Sequence, residues 1–177
     1  MIHLVFNRPT ESMKVFQPGG STRFVFDATG GAVRRSNGPM PVGHYVLLEP
    51  EMFERSTWEI ATGWGRIRIR DMAQSDVDLL VRANLAKVVP TGSIDIGGIV
   101  LPQGRCNAYP RAVEIHGGGT ALGDPGALVA KQGLCCTLGC IRMHNQDIQT
   151  FVEYMRGLQD GHTFVMSVMG APTPCRC

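Results

Sequence analysis

The chain has 177 residues, enough for one domain with a proper core. Its 17 Lys and Arg against 15 Asp and Glu leave a net charge of +2, which argues against a nucleic-acid binder with a clustered basic surplus. Apolar residues at 44% argue against long disorder, and 18% charged residues with 22 Gly and 11 Pro favour a turn-rich, largely β fold over a helical bundle.

The first nine residues carry no signal-peptide pattern, because a basic start is missing and the apolar run stops at Phe6. No stretch approaches the ~20 apolar residues of a membrane span. Leu4 to Phe6, Lys14 to Phe16 and Thr22 to Phe26 read as short strands, set off by Pro18-Gly19-Gly20 and Thr29-Gly30-Gly31. A turn-dense segment, Ser36 to Gly43, leads into a strand over His44 to Leu48. Trp64 to Arg70 alternates strictly, with Ile67 and Ile69 on one face and Arg66, Arg68 and Arg70 on the other. No aromatic residues interleave with these arginines, so they read as a solvated sheet face.

One helix interrupts the strands. Ser75 is the expected N-cap, Asp76 and Asp78 fall in the first turn, and Val77, Leu80, Val81, Leu85 and Val88 recur at helical spacing up to Pro90. Strands follow at Ile94 to Leu101 and Ala112 to Ile115, then a glycine-rich loop from Gly117 to Gly133. A second helix spans Asn145 to Leu158 with a buried stripe of Ile148, Phe151, Val152, Met155 and Leu158. Thr163 to Met169 closes the strands, and the tail to Cys177 is irregular. No repeat or linker divides the chain, so residues 1–177 are expected to form a single catalytic domain.

Two segments carry chemistry. Val113-Glu114-Ile115-His116-Gly117-Gly118-Gly119 is a strand ending in a histidine. Thr137-Leu138-Gly139-Cys140-Ile141-Arg142 leads through Asn145 and Asp147 into the second helix. A thiolate nucleophile and an imidazole that takes its proton and passes it to a leaving amine are the parts of an acyl-transfer site. Gly139 before the cysteine permits a tight turn and exposes N–H groups that could serve as an oxyanion hole. Arg142 offers a fixed charge, suited to a substrate carboxylate or to lowering the thiol pKa.

His116-Gly117, then Thr137, Gly139, Cys140, Ile141, Arg142 and Met143, then Asn145 and Asp147, resemble the motif of the L,D-transpeptidase (YkuD-like) catalytic domain. Gly38-Pro39-Met40-Pro41-Val42-Gly43-His44-Tyr45 resembles the family's upstream turn, and the likeness covers roughly residues 36 to 150. The resemblance implies a mostly β (α+β) fold, an L,D-transpeptidase-like β-sandwich with the catalytic Cys at a strand-to-helix turn. It implies attack by Cys140 on peptidoglycan stem peptides, with His116 as general base, a thioester intermediate, and transfer to an amine or to water, as L,D-transpeptidase or L,D-carboxypeptidase. Gly139 and the Cys140 N–H would form the oxyanion hole, Thr137 and Gly117 would support the site, and Arg142 would bind the substrate carboxylate or order the loop. No cofactor and no metal are implied.

The chain departs from the pattern at Leu138, where the family has His. Its His-to-Cys separation of 140 − 116 = 24 is longer than usual, and Cys135-Cys136 is not part of the motif. Gly38-Pro39-Met40-Pro41-Val42-Gly43-His44-Tyr45, Ile115-His116-Gly117-Gly118 and Leu138-Gly139-Cys140-Ile141 also resemble antibacterial effectors of this superfamily that type VI secretion delivers to a neighbour's periplasm, with a housekeeping enzyme of the family as the alternative. That route would imply action in the periplasm or cell envelope and a cognate immunity protein. The rival expectation is a non-catalytic peptidoglycan-binding module of the same fold.

Of the six cysteines, Cys106, Cys135, Cys136, Cys175 and Cys177 are candidates for disulfides, with the tail bridging to Cys106 or to the Cys135-Cys136 loop. Cys135, Cys136, Cys140 and His144 as a zinc site would lack a paired C-x-x-C and consume the nucleophile. His44 reads as structural.

Overall fold

A computed structural model describes residues 1–31, 38–53, 63–105, 113–118, 129–135, 137–158 and 161–172. Among them the chain forms strands β1 (Ile2–Asn7), β2 (Ser12–Phe16), β3 (Thr22–Thr29), β4 (Gly43–Met52) and β5 (Gly65–Asp71). Helix α1 (Gln74–Arg82) follows, then β6 (Lys87–Val88), β7 (Ile94–Ile96), β8 (Ile99–Leu101), β9 (Glu114–His116) and β10 (Ile141–Met143). Helix α2 (Asn145–Gly157) and β11 (Phe164–Met169) complete the described elements. No helix among the described residues is long and apolar enough to cross a membrane.

The main sheet runs β1-β11-β4-β5-β9-β10-β3-β2 and closes through the β1–β2 ladder. The two layers expected of a sandwich are thus hydrogen-bonded to each other at both edges, which leaves no free edge in this sheet. β6, β7 and β8 form a separate small sheet. Two pairings are parallel, β1 with β11 and β9 with β10; the other main-sheet ladders are antiparallel.

Alternation sorts the side chains into two cores. Ile2, Leu4 and Phe6 of β1, Tyr45 and Leu47 of β4, Ile67 and Ile69 of β5 and Met166 of β11 share one core with Phe151, Val152 and Met155 of α2. The other face of β4 and β11, Val46 and Val165, packs under α1 and the small sheet against Leu80, Ile94 and Ile96. Covering both faces explains why β1 and β11 are nearly continuous apolar runs.

The first helix begins and ends earlier than its periodicity suggests. Ala73, not Ser75, is the N-cap, because the Asp76 carboxylate accepts the Ala73 N–H at 2.8 Å while also binding Arg70. Asn84 takes φ 56, and the Leu85 and Asn84 N–H groups donate back to Leu80 and Val81, a Schellman stop. Leu85 and Val88 therefore fall beyond the helix and are exposed, Val88 on β6. The expected strand at Ile94–Leu101 is a hairpin, β7 and β8, turning at Gly97-Gly98. The arginine face of β5 is not simply solvated: Arg66 pairs with Glu51 and Glu114, Arg68 with Glu51, and Arg70 with Asp76.

Candidate active site

A parallel strand pair needs a crossover of a dozen or more residues. That requirement fits the long separation, 140 − 116 = 24 positions, from His116, which ends β9, to Cys140, which immediately precedes β10. In the β9–β10 ladder Ile141 lies opposite Ile115 and Arg142 opposite His116. Ile115 and Ile141 point into the core, so by alternation Glu114, His116, Cys140 and Arg142 share the opposite face. Cys140 and His116 therefore lie diagonally across adjacent strands on one face. Short β10 stands between the cysteine and α2, so Cys140 sits where a bend enters a strand that then feeds the helix.

His116 is buried, and its Nδ1 lies 2.5 Å from the Gly117 carbonyl oxygen. A carbonyl only accepts, so Nδ1 carries the proton and Nε2 holds the lone pair. Burial lowers the imidazole pKa to about 4, helped by nearby Arg142 and opposed by the Gly117 carbonyl. The ring is therefore neutral at pH 7. Gly117 thus supports the site through its carbonyl.

Cys140 carries its sulfur outside any disulfide and is half-buried. Burial pushes its pKa above the ordinary value, and the Glu114 carboxylate adds to this. The backbone N–H groups of Glu114 and Cys140 and the charge of Arg142 pull the other way without winning. The resting pair is thiol and imidazole, not thiolate and imidazolium.

The bend before Cys140 is fastened to β3. Gly31 bridges to Thr137, and a Cβ on Gly31 would stand 2.8 Å from the Gly139 Cα, so two backbones meet where no side chain fits. Gly139 has φ 153. Thr137 donates its hydroxyl to the Cys140 carbonyl, and its Oγ1 accepts the Gly139 N–H at 3.2 Å. The Gly139 N–H expected in the oxyanion hole is therefore already engaged. Leu138, beside the nucleophile, is 56% exposed.

Arg142, expected at a substrate carboxylate, is only 4% exposed. Its Nη1 donates to the Cys135 carbonyl at 2.8 Å, which ties down the loop before the nucleophile. Cys135 is disulfide-bonded, while Cys106, Cys136, Cys175 and Cys177 lie outside the described residues. Among the described residues no cluster of three or more His, Cys, Asp or Glu is arranged to hold a metal. His44 is fully buried and bonded to Ser167 and the Ile94 carbonyl, in keeping with a structural role.

The sequence did not single out three side chains that the fold brings to this region. Glu114 lies beside Cys140 in the ladder, is 6% exposed, and binds Arg66 at 3.1 Å; burial raises its pKa against the pull of Arg66 and Arg68. Its position two residues before His116 on a strand was the available signal. Arg66, opposite His116 on β5, links Glu114 to Glu51. Gln132 donates to the Gly118 and Met143 carbonyls and accepts the Asn145 N–H. Asn145 accepts the Gly118 N–H and donates to Val129, so the start of α2 clamps both ends of the glycine-rich loop. Gln132 has no periodic neighbour that would mark it.

The sequence matches the L,D-transpeptidase catalytic domain family (YkuD) over residues 2–167. No curated protein matches it in sequence. In fold it is similar to Bd1075 of Bdellovibrio bacteriovorus, at TM-score 0.51 and 13% identity, covering 95% of this chain and 47% of that one. It is also similar to the helical cell shape determining protein Pgp2 of Campylobacter jejuni, at TM-score 0.52 and 14% identity, covering 99% and 50%. The chain spans about half the length of these two structures.

Proposed function

The chain belongs to the L,D-transpeptidase catalytic domain (YkuD) family, and from that premise we propose that residues 1–177 act as one cysteine acyltransferase domain on peptidoglycan stem peptides. What carries this is the parallel pairing of β9 and β10, with a neutral His116 whose proton is committed to Gly117. Its free Nε2 lone pair takes the Cys140 proton as sulfur attacks the carbonyl before a terminal D-amino acid. The tetrahedral oxygen draws on backbone N–H groups at the bend, with Gly139 exchanging its Thr137 contact for the oxyanion. The imidazolium then protonates the leaving amine, and a thioester remains on Cys140. An amine of a second stem resolves it as a crosslink, and water resolves it as carboxypeptidase trimming.

Arg142 and Thr137 hold the loop and the bend on which this geometry depends. The Cys135 disulfide supports action in an oxidising compartment such as the periplasm or cell envelope.

The test is incubation of purified protein with muropeptides and mass spectrometry of the products, beside Cys140→Ala. Wild type is expected to give shortened stems or stem dimers and a thioester adduct on Cys140; the variant should give neither. Identical profiles from both proteins would sink the proposal. Co-sedimentation of both proteins with peptidoglycan, without product, would favour a binding module instead.

A further inference from the structure

Three strand steps from β10 and four from β9, around the closed sheet, β1 carries polar groups that the acyl-transfer site does not use. His3 on β1, His44 on β4 and Ser167 on β11 meet beneath the small sheet, and their proton positions follow from one fixed end. The Ile94 carbonyl can only accept, so His44 Nε2 carries a proton and donates to it at 2.9 Å. His44 Nδ1 is then an acceptor, and the Ser167 hydroxyl donates to it at 2.7 Å. Ser167 Oγ in turn accepts from His3 Nε2 at 2.6 Å. This leaves His3 neutral with a lone pair on Nδ1.

That nitrogen has no hydrogen-bond partner among the described residues, although His3 is only 6% exposed. It faces Gly97: a Cβ added there would lie 3.2 Å from it. His3 and Gly97 both line a cavity of about 530 Å³, which shares no lining residue with the Cys140 site. Gly97 and Gly98, at φ +60 and +83, turn the β7–β8 hairpin without side chains and leave the His3 edge uncovered.

The rest of the wall selects the ligand. Phe16, Leu85 and Ile99 supply apolar surface, and Lys87 and Asp95 supply opposite charges. Those two stand directly opposite each other in the β6–β7 ladder, yet no ion pair joins them. The Gly98 N–H, donating to Asp95 Oδ1 at 2.9 Å, steadies the carboxylate in place. A simple anion would face Asp95, and a simple cation would face Lys87. His3 Nδ1 accepts only, so it calls for a ligand with an N–H donor.

We propose that this cavity binds a small zwitterion, an amino acid or dipeptide, with its ammonium on Asp95 and His3 Nδ1 and its carboxylate on Lys87. The volume falls in the range of small-ligand sites. The site is independent of the acyl-transfer chemistry proposed above.

Titration calorimetry of the full chain with alanyl-alanine is expected to show saturable binding. The N-acetylated and C-amidated forms should bind weaker by about tenfold or more, since each leaves one charge of the wall unanswered. Asp95→Asn and Lys87→Gln, checked for native circular dichroism, should each weaken the free dipeptide on the same scale. In protein carrying nitrogen-15 histidine, the His3 Nδ1 resonance should move upfield as its lone pair gains a donor, a readout that needs no variant. Absence of saturable binding overturns the proposal. Equal binding of the capped forms does so as well, as does binding that neither variant weakens and that leaves the His3 resonance still, which would assign the dipeptide to the Cys140 groove.

Discussion

Burial acts on both members of the Cys140–His116 pair and favours the neutral form of each. At pH 7 sulfur therefore keeps its proton until a substrate carbonyl is in place. Alkylation of Cys140 by iodoacetamide should rise by about tenfold per pH unit through neutrality, following the thiolate fraction. A rate already level between pH 6 and 8 would mean a preformed ion pair and would contradict this. Glu114→Gln removes a charge that holds the thiol up, so the same rate profile should move to lower pH. At Thr137 the hydroxyl itself matters, because it both donates to Cys140 and accepts from Gly139. Thr137→Val should lower turnover by up to about a hundredfold through misplacement of the nucleophile, with Thr137→Ser near wild type; equal rates for the two variants would remove Thr137 from the site. The motif made Cys140, His116 and Thr137 legible because each spacing is local to a strand end or a bend. Glu114 and Gln132 were not picked out, since their positions depend on which strand lies alongside and where a long loop returns.

Strands were easier to locate than their partners. Alternation in Gly65–Asp71 marked β5 and its two faces, but not that Arg66 would lie opposite His116. That pairing turns an apparently solvated row into an ion-paired wall beside the site. The first helix is shorter than its apolar spacing implies for a physical reason: that spacing continues to Val88, whereas backbone hydrogen bonding stops at Asn84 in the left-handed region. The second helix was legible almost to the residue, because its stripe is buried along its whole length and Leu158 is its C-cap. Phe151 anchors that stripe, fully buried in the same core as Ile67, Ile115 and Ile141. Phe151→Ala should cost about 3–5 kcal/mol, measured as a lower urea midpoint. Because α2 also clamps the glycine-rich loop through Asn145, activity should fall well before the melting transition in that variant. Activity and unfolding that decline together would show that the clamp does not depend on how α2 is packed.

Closure of the sheet was the least legible feature, since β1 and β11 come from opposite ends of the sequence and pair in parallel. The β1–β11 and β11–β4 ladders set β1, β11 and β4 side by side, and the second core covers their outer face. Together these bury His3 and His44, while His116 is buried on the same outer face, several strands away at β9. Burial lowers the pKa of His3 to about 4, with His44 adding to the effect, and lowers His116 to about 4. His44 is lowered as well. A histidine whose folded pKa lies below its unfolded value of about 6.5 stabilises the fold above that pH and progressively less below it, because the unfolded chain takes the proton first. His3 and His116 should each forfeit about 2 kcal/mol by pH 5 and about 3 kcal/mol by pH 4. Glu114 and Asp147 have raised values and act in the opposite sense, but only as the pH nears the carboxylate range. Glu51 and Asp76 are lowered, and their contribution is lost at still lower pH. Against a total stability of about 5–15 kcal/mol, the histidines dominate the window from pH 6.5 to 5. Urea unfolding at pH 7.5, 6 and 5 should therefore show a loss of several kcal/mol across that interval. His116→Asn should recover about 2 kcal/mol of the difference between pH 7.5 and 5, because one of the titrating groups is gone. A wild-type profile that stays flat down to pH 5 would mean that these imidazoles are not held neutral by the fold.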